Sequence, residues 1–246
     1  DKSNISMSSF ISLTLSLRPE APAHIPMFSG VAVREWFLGA VREHDAALAE
    51  AMQQGDGPRP FTLSPLMDTL SPQRRPLVIP ERTVTCRMTA LTDALTPCLR
   101  ALPTSGTITL AEHRFQIESA TLEEVSEQTL LQRHMLTTGR PRQITLAFRS
   151  PVVFRSHGVE MPVPLPELVF GGLIDRWNSL CDLQLHPQVR EFARECLRIS
   201  RYRLQTMRLH FGTSGYESMA GALGQVSYFI TNPDPYWSRA IWALAG

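Results

Sequence analysis

The apolar residues of this chain run through a similar succession of strand and helix periods twice along its length. Ile11, Leu13, Leu15 and Leu17 alternate with Ser12, Thr14 and Ser16, the two-residue period of a strand with one wet face. From about Gly30 the period becomes helical, with Val33, Phe37, Val41, Leu48 and Met52 on one side, until Gly55-Asp56-Gly57-Pro58 stops it. Phe61 to Leu66 is extended, and Thr83 to Ala90 alternates again through Val84, Cys86 and Met88. Leu91, Leu95, Cys98 and Leu102 mark a second helix, and Ile108 to Leu110 with Phe115 to Ala120 supply a last strand or hairpin. The order β-α-β-β-α-β is the ferredoxin-like arrangement.

After a polar stretch, Glu123 to Arg142, the pattern begins again. Ile144 to Phe148 is a strand that Val152 to Phe154 extends, and Glu167 to Cys181 is an amphipathic helix with Phe170, Leu173, Ile174, Trp177 and Cys181 inward. A second helix is expected over about Pro187 to Leu197. Ile199 to Phe211 is extended, with an apolar phase shift between Leu204 and Met207 that suggests a bulge. Val226, Tyr228 and Ile230 mark another strand, and Asp234-Pro235 opens a helix with a cap followed by proline at the first turn. The expected fold class is therefore α+β. It consists of two tandem ferredoxin-like (RRM-like) domains, residues 1–138 and 139–246, the second lacking its last strand in this chain. A length of 246 residues suits two such domains.

Charge is divided unevenly between those halves. Residues 1–138 carry 12 basic against 15 acidic side chains, and residues 139–246 carry 12 against 8. All the basic residues but Lys2 are arginine, whose planar fork suits bidentate phosphate contacts and stacking on bases. Cys86, Cys98, Cys181 and Cys196 show neither CxxC pairing nor zinc-finger spacing to histidine, so they read as reduced thiols, with no metal and no cofactor expected. No apolar run approaches a membrane span, and the first nine residues lack a signal peptide's apolar region. A cytoplasmic chain without membrane association is expected. Gly221-Ala222-Leu223-Gly224 lacks the spacing and lysine of a P-loop, and Gly212-Thr213-Ser214-Gly215 is one residue short of a nucleophile elbow.

Three blocks carry a resemblance to a known family. The first runs from Leu48-Ala49-Glu50 through Gly57-Pro58-Arg59-Pro60-Phe61-Thr62-Leu63-Ser64-Pro65-Leu66. The second runs from Phe148-Arg149-Ser150-Pro151-Val152-Val153-Phe154-Arg155-Ser156 through Leu165-Pro166 to Phe170 and Arg176-Trp177-Asn178. The third runs from Gly215-Tyr216-Glu217 through Gly221 and Gly224-Gln225-Val226-Ser227-Tyr228 to Ala243-Leu244-Ala245-Gly246. In this order they resemble the CRISPR-associated endoribonucleases that cut precursor CRISPR RNA within its repeats. The resemblance implies tandem ferredoxin-like domains, a CRISPR repeat RNA as partner and a metal-independent cleavage in which the ribose 2′-OH attacks the adjacent phosphorus. Other CRISPR-associated subunits are further partners it implies. Family members normally add a glycine-rich loop and a closing strand after the final helix, whereas this sequence ends at Gly246.

Such chemistry needs a base for the 2′-OH, an acid for the leaving oxygen and cations for the developing phosphorane charge. The resemblance places the family's histidine, just after the Leu-Ala-Glu segment, at Gln53, which cannot exchange a proton near neutral pH. His44, two turns earlier, is the leading alternative, although it also continues the stripe of Val33, Phe37, Val41 and Leu48 and so equally fits a core histidine. His24, in the Pro-rich connector before that helix, is the next. For RNA binding, Arg190, Arg194 and Arg198 at i, i+4, i+8 would form one basic ridge on a helix, or an ordinary solvated face. Arg201 and Arg203 share a strand face, Arg149 and Arg155 flank the Ser-Pro motif, and His157 lies in a predicted loop. No aromatic pair like that of ordinary RRMs is visible on the predicted central strands, which favours reading RNA by shape and phosphates. Two functions stay open: a repeat-cleaving endoribonuclease, or a catalytically inactive repeat-RNA-binding subunit of an effector, adaptation or transposition complex. An interaction domain of a larger polypeptide is a third. Leu223 and Phe229, opposite the core face of their strand, would serve a homodimer or a larger complex equally well.

Overall fold

The computed structural model describes residues 9–54, 57–67, 69, 75–137, 139–211 and 217–246. Contacts divide the chain into two units, Asp1–Ser126 and Glu127–Gly246.

The first unit opens with β1 (Ser9–Pro19) and β2 (Ala23–His24), followed by helices α1 (Gly30–His44) and α2 (Ala46–Gln54). Strands β3 (Phe61–Leu63), β4 (Leu77–Val78) and β5 (Val84–Ala90) lead to a short 3-10 turn at Asp93–Leu95 and helix α3 (Thr96–Arg100). The hairpin β6 (Thr107–Leu110) and β7 (His113–Ser126) closes the unit. The antiparallel sheet has the order β3-β5-β1-β7-β6, with β2 and β4 paired separately. Leu13 pairs with Met88 and Leu15 with Cys86, so the alternation in each strand sends the same pleat face inward. That face meets Val33, Phe37 and Val41 of α1, and all seven side chains are buried. Each large aliphatic side chain hidden this way contributes about 1.5–3 kcal/mol.

The single long helix expected from Gly30 to Met52 is two helices. Asp45 adopts an extended backbone (φ −148°, ψ 98°) whose amide still donates to the Val41 carbonyl at 2.7 Å. Its carboxylate then accepts the Leu48 amide at 2.9 Å, and its carbonyl accepts the Ala49 amide at 3.1 Å. One residue therefore ends α1 and caps α2. The second expected helix is also shorter than its apolar spacing suggested, because Pro97 opens α3 and Ala101 leaves it after five residues.

In the second unit α4 (Glu127–Met135) precedes β8 (Gln143–Val152) and the hairpin β9 (Phe154–Ser156) and β10 (Val159–Met161). Helices α5 (Pro166–Leu180) and α6 (Val189–Cys196) follow, then the long strands β11 (Leu197–Phe211) and β12 (Glu217–Ile230), and α7 (Pro235–Ala245). The sheet order is β11-β12-β8, three of the four ferredoxin positions in a β-α-(α)-β-β-α succession. Ile144, Val226, Tyr228, Ile230 and Leu197 face α5, α6 and α7 through Val169, Phe170, Ile174, Val189, Ala193 and Ile241. Trp177, Trp237 and Trp242 pack against this cluster as helix-borne core residues. The expected cap is present: the Asp234 carboxylate accepts the Tyr236 and Trp237 amides, each at 2.9 Å. The fold is thus the expected pair of ferredoxin-like domains.

The sequence pattern places the domain boundary at 138/139, within the polar stretch. In the structure β7 runs on to Ser126, and α4 packs against α7 and so belongs with the second unit. Its first residue, Glu127, is fully buried and accepts the Asp182 and Leu183 amides at 2.9 and 3.1 Å. The turns around Gly55 and Gly212, and part of the arginine- and proline-bearing stretch from Ser71, lie outside the described residues.

Candidate nucleic-acid interface

In the first unit the Asp45 joint decides where the histidine candidate goes. His44 is the last residue of α1 and is exposed, so it does not continue the buried stripe of Val33, Phe37 and Val41. It borders a hollow of about 460 Å³ between α1 and α3, with Trp36, Glu43 and Leu102 among the other lining residues. Gln53 is exposed in the last turn of α2. Beside it, Arg59 donates to the Met52 carbonyl at 2.6 Å and so closes the helix end. His24 is exposed on β2, opposite Leu77 on β4. His44 and Gln53 are thus on separate helices, and His24 is on a two-residue strand.

In the second unit the helices cover one face of the sheet and leave the other open. Pairing across that open face sets Arg198 opposite Phe229, Arg201 opposite Ser227 and Arg203 opposite Gln225. On the other side of β12, Phe229 is opposite Gln143 and Ser227 opposite Thr145. Phe229 is 40% exposed. Ser227 is nearly buried, its hydroxyl 2.8 Å from that of Thr145. Arg149 lies two residues beyond Ala147 on β8, where the pairing with β12 becomes irregular, and is exposed like Thr145 and Ala147. The central strand presents one exposed aromatic ring, flanked by an arginine column.

The basic ridge expected on one helix is not formed. Helix α6 ends at Cys196, so Arg198 is on β11, where it donates to the Arg194 and Leu197 carbonyls at 3.1 and 2.9 Å. Arg190 pairs with Asp175 and also donates to the Gly171 carbonyl at 3.3 Å, while Arg194 pairs with Glu191 and Glu195. Those two guanidiniums hold the helix surface together. Among the described residues, Arg149, Arg155, Arg201 and Arg203 have no carboxylate at ion-pair distance, which leaves their forks open to solvent. The bulge in β11 lies between Ile199 and Arg201, earlier than the apolar phase suggested, and it puts Arg201 and Arg203 on the open face. Gly224 (φ +127°) sits opposite Leu204. A Cβ there would lie 2.1 Å from the Arg203 carbonyl oxygen, so only glycine fits the close approach.

His157 occupies the tight turn between β9 and β10, where Ser156 pairs with Val159. Its φ is +51° and that of Gly158 is +79°, the doubly left-handed backbone of a type I′ hairpin. Its Nδ1 is 3.0 Å from the Ser156 hydroxyl, and Arg155 is exposed beside it. The thiols are apolar fillers. Burial pushes Cys86 up to about 12, and burial together with the Glu127 carboxylate pushes Cys181 well above the usual thiol range. Among the described residues no group of three His, Cys, Asp or Glu side chains is placed to hold a metal ion, and no helix is long and apolar enough to cross a membrane.

Two antiparallel sheets, each with helices on one face and the second with unpaired arginines on the other, define a tandem ferredoxin-like protein. Residues 146–245 match the profile of the family described as CRISPR-associated endoribonuclease Cas6. The matched segment contains the Ser-Pro and Gly-Gln-Val-Ser-Tyr blocks that carried the resemblance. Thermus thermophilus Cas6 superposes with a TM-score of 0.70 at 21% identity, covering 97% of this chain and 90% of that one. A Cas6 product complex gives 0.69 at 22% identity, with coverage of 96% and 90%. A RAMP protein described as binding different RNA substrates gives 0.56 at 13% identity, with coverage of 90% and 88%. These likenesses establish the fold. No curated protein matches the sequence.

The sequence singles out His44 by its chemistry, but not Trp36, Ala40 and Glu43 on the half-buried face that it shares. Trp36, Ala40, Glu43 and His44 recur at three- to four-residue spacing and line the hollow beside His44. A helical wheel drawn for the half-buried face, not only the buried one, would have found them.

Proposed function

We propose that this chain is a CRISPR repeat RNA endoribonuclease. The carrying observation is the Cas6 family match over residues 146–245, the segment that also bears the open arginine column of Arg201 and Arg203 with Arg149. These forks neutralise phosphates along the RNA, and His157 and Arg155 add donors at the hairpin tip. Arg190, Arg194 and Arg198 keep a lesser role, because ion pairs or helix carbonyls already occupy them.

In the proposed reaction the 2′-oxygen forms a bond to phosphorus and the P–O5′ bond breaks. The 2′-OH proton goes to a base and the 5′-oxygen receives one from an acid, leaving a 2′,3′-cyclic phosphate and a 5′-hydroxyl. His44 is the group assigned to proton transfer, because it is exposed and has no partner among the described residues. Gln53 serves as a hydrogen-bonding neighbour of the phosphate, and His24 is the fallback for the second proton. One structural relative is a histidine-to-alanine mutant of a Cas6, which makes histidine replacement the informative experiment.

Gln53 supports a second reading, in which the chain holds repeat RNA without cutting it, within an effector, adaptation or transposition complex. Incubation with the repeat RNA of its own genome in excess EDTA separates the two. A single cut leaving a cyclic phosphate, lost in His44→Ala, supports the nuclease. Salt-sensitive binding with no cut supports the holding subunit. Phe229 is the residue through which a homodimer or another CRISPR-associated subunit would pack in either case.

A further inference from the structure

The hollow between α1 and α3 has a chemistry that phosphate binding does not explain. Trp36, Gly39, Ala40, Glu43 and His44 line one side along a single stripe of α1, and Cys98 and Leu102 are its buried floor. It lies beside the five-residue α3, and a Cβ at Gly39 would meet no atom within 4 Å. A volume of about 460 Å³ falls in the range of small-molecule sites. More of the lining surface is apolar than polar, and the half-buried Trp36 ring packs against the core. Among the described residues, Glu43 and His44 are the ionisable side chains of the lining that are exposed, and neither has a hydrogen-bond or ion-pair partner.

A slot with an aromatic wall and a free carboxylate repels anions and takes a flat, uncharged ring that carries hydrogen-bond donors. Among nucleobases, only guanine presents two adjacent donors, N1–H and the N2 amino group, to the two oxygens of a carboxylate. Adenine and cytosine set a ring acceptor beside their amino group, and uracil flanks its single donor with carbonyls. We infer that the hollow is a guanine-binding site, with the base held between Trp36 and the α3 side and its Watson–Crick edge on Glu43. Building on the proposed nuclease reading, His44 adjoins Glu43, so the guanine is the nucleotide next to the scissile phosphate, unstacked into the protein as base-reading enzymes do.

Two measurements test this. The first titrates the free protein with guanosine and with adenosine, following tryptophan fluorescence, with Trp36→Phe identifying the responding ring. Guanosine is expected to quench, adenosine to bind at least about tenfold more weakly, and Glu43→Gln to abolish the difference. Gly39→Phe, which fills the hollow, is expected to abolish binding while keeping a melting temperature near that of the wild type. Equal response to both nucleosides, or guanosine binding unaltered in Glu43→Gln, overturns the assignment. The second compares cleavage of repeat RNA with guanine or inosine, which lacks the N2 amino group, beside the cut. Guanosine binding as expected without any RNA cleavage would sink the nuclease reading and leave the hollow as a guanine site. Cleavage indifferent to inosine would sink its placement beside the cut and leave the nuclease reading intact.

Discussion

The Glu127 carboxylate holds the Asp182 amide at 2.9 Å across 55 residues of sequence, from a position with no solvent exposure. The same side chain takes the Leu183 amide, so the first residue of α4 pins the turn that leaves α5. Glu127→Ala would strand two amides at once. The expected loss is about 2–4 kcal/mol, read as a lower urea midpoint with an unchanged slope. Glu127→Gln keeps one acceptor oxygen and should lose less.

Gly224→Ala should be among the most damaging single-methyl changes in the chain. Its left-handed backbone and the Arg203 carbonyl 2.1 Å from the added carbon leave no accommodation within the strand pair. A loss of about 2–4 kcal/mol is expected, with the displaced β11 carrying Arg201 and Arg203 along. Thermal unfolding and RNA affinity should therefore fall together.

Arg201→Ala and Arg203→Ala should weaken repeat RNA binding with little effect on stability. Each is expected to reduce the salt slope of log K by about 0.7–0.9, the contribution of one phosphate contact. Arg190→Ala should do the reverse, because it removes the pairing with Asp175 and the bond to Gly171 from the α5–α6 contact.

His134 makes stability depend on pH in the acid direction. Burial, then the neighbouring Arg140 and Arg133, lowers its pKa below the ordinary 6.5. A proton therefore binds the unfolded chain more readily than the folded one. Stability present above about pH 6.5 should decline as pH falls from there towards the folded value. His134→Gln should flatten that part of a melting-temperature profile recorded between pH 7.5 and 5 (about one unit to either side of the ordinary histidine range).

Thiol reagents should distinguish the four cysteines. Cys196 is half-buried and Cys86, Cys98 and Cys181 are buried; all four thiols have raised pKa values, so exposure sets the order. Modification of the native protein is expected at Cys196 first, and at Cys86 and Cys181 only at the rate of unfolding. Mass spectrometry of partly labelled protein checks the order.

Much of the fold was legible because period and burial agree. Alternation in β1 and β5, the stripe of α5 and the Asp234 cap were all readable from side chains that interact locally or pack on one face. Features set by a single backbone choice were not. Asp45 looks like one more polar residue in a helical run, yet its extended backbone splits α1 from α2 and leaves His44 exposed. Arg198 fits a helical ridge by spacing, but the strand begins one residue before it because Leu197 and Ile230 pair across the sheet. The open face of β12 required knowing which strands pair, information that Phe229 and Arg201 do not carry in their own neighbourhoods. Whether Arg190 is paired depends on Asp175, a residue on another helix.

The Asp45 joint also has a consequence for how this region tolerates change. In a continuous helix one inserted residue rotates everything beyond it by about 100°. Here α2 starts afresh from its own cap, so a lengthened or shortened α2 leaves the α1 stripe of Trp36, Glu43 and His44 in register. The segment carrying Gln53 and the turn after it can be rebuilt as a cassette, with the histidine and its hollow acting as the fixed chassis.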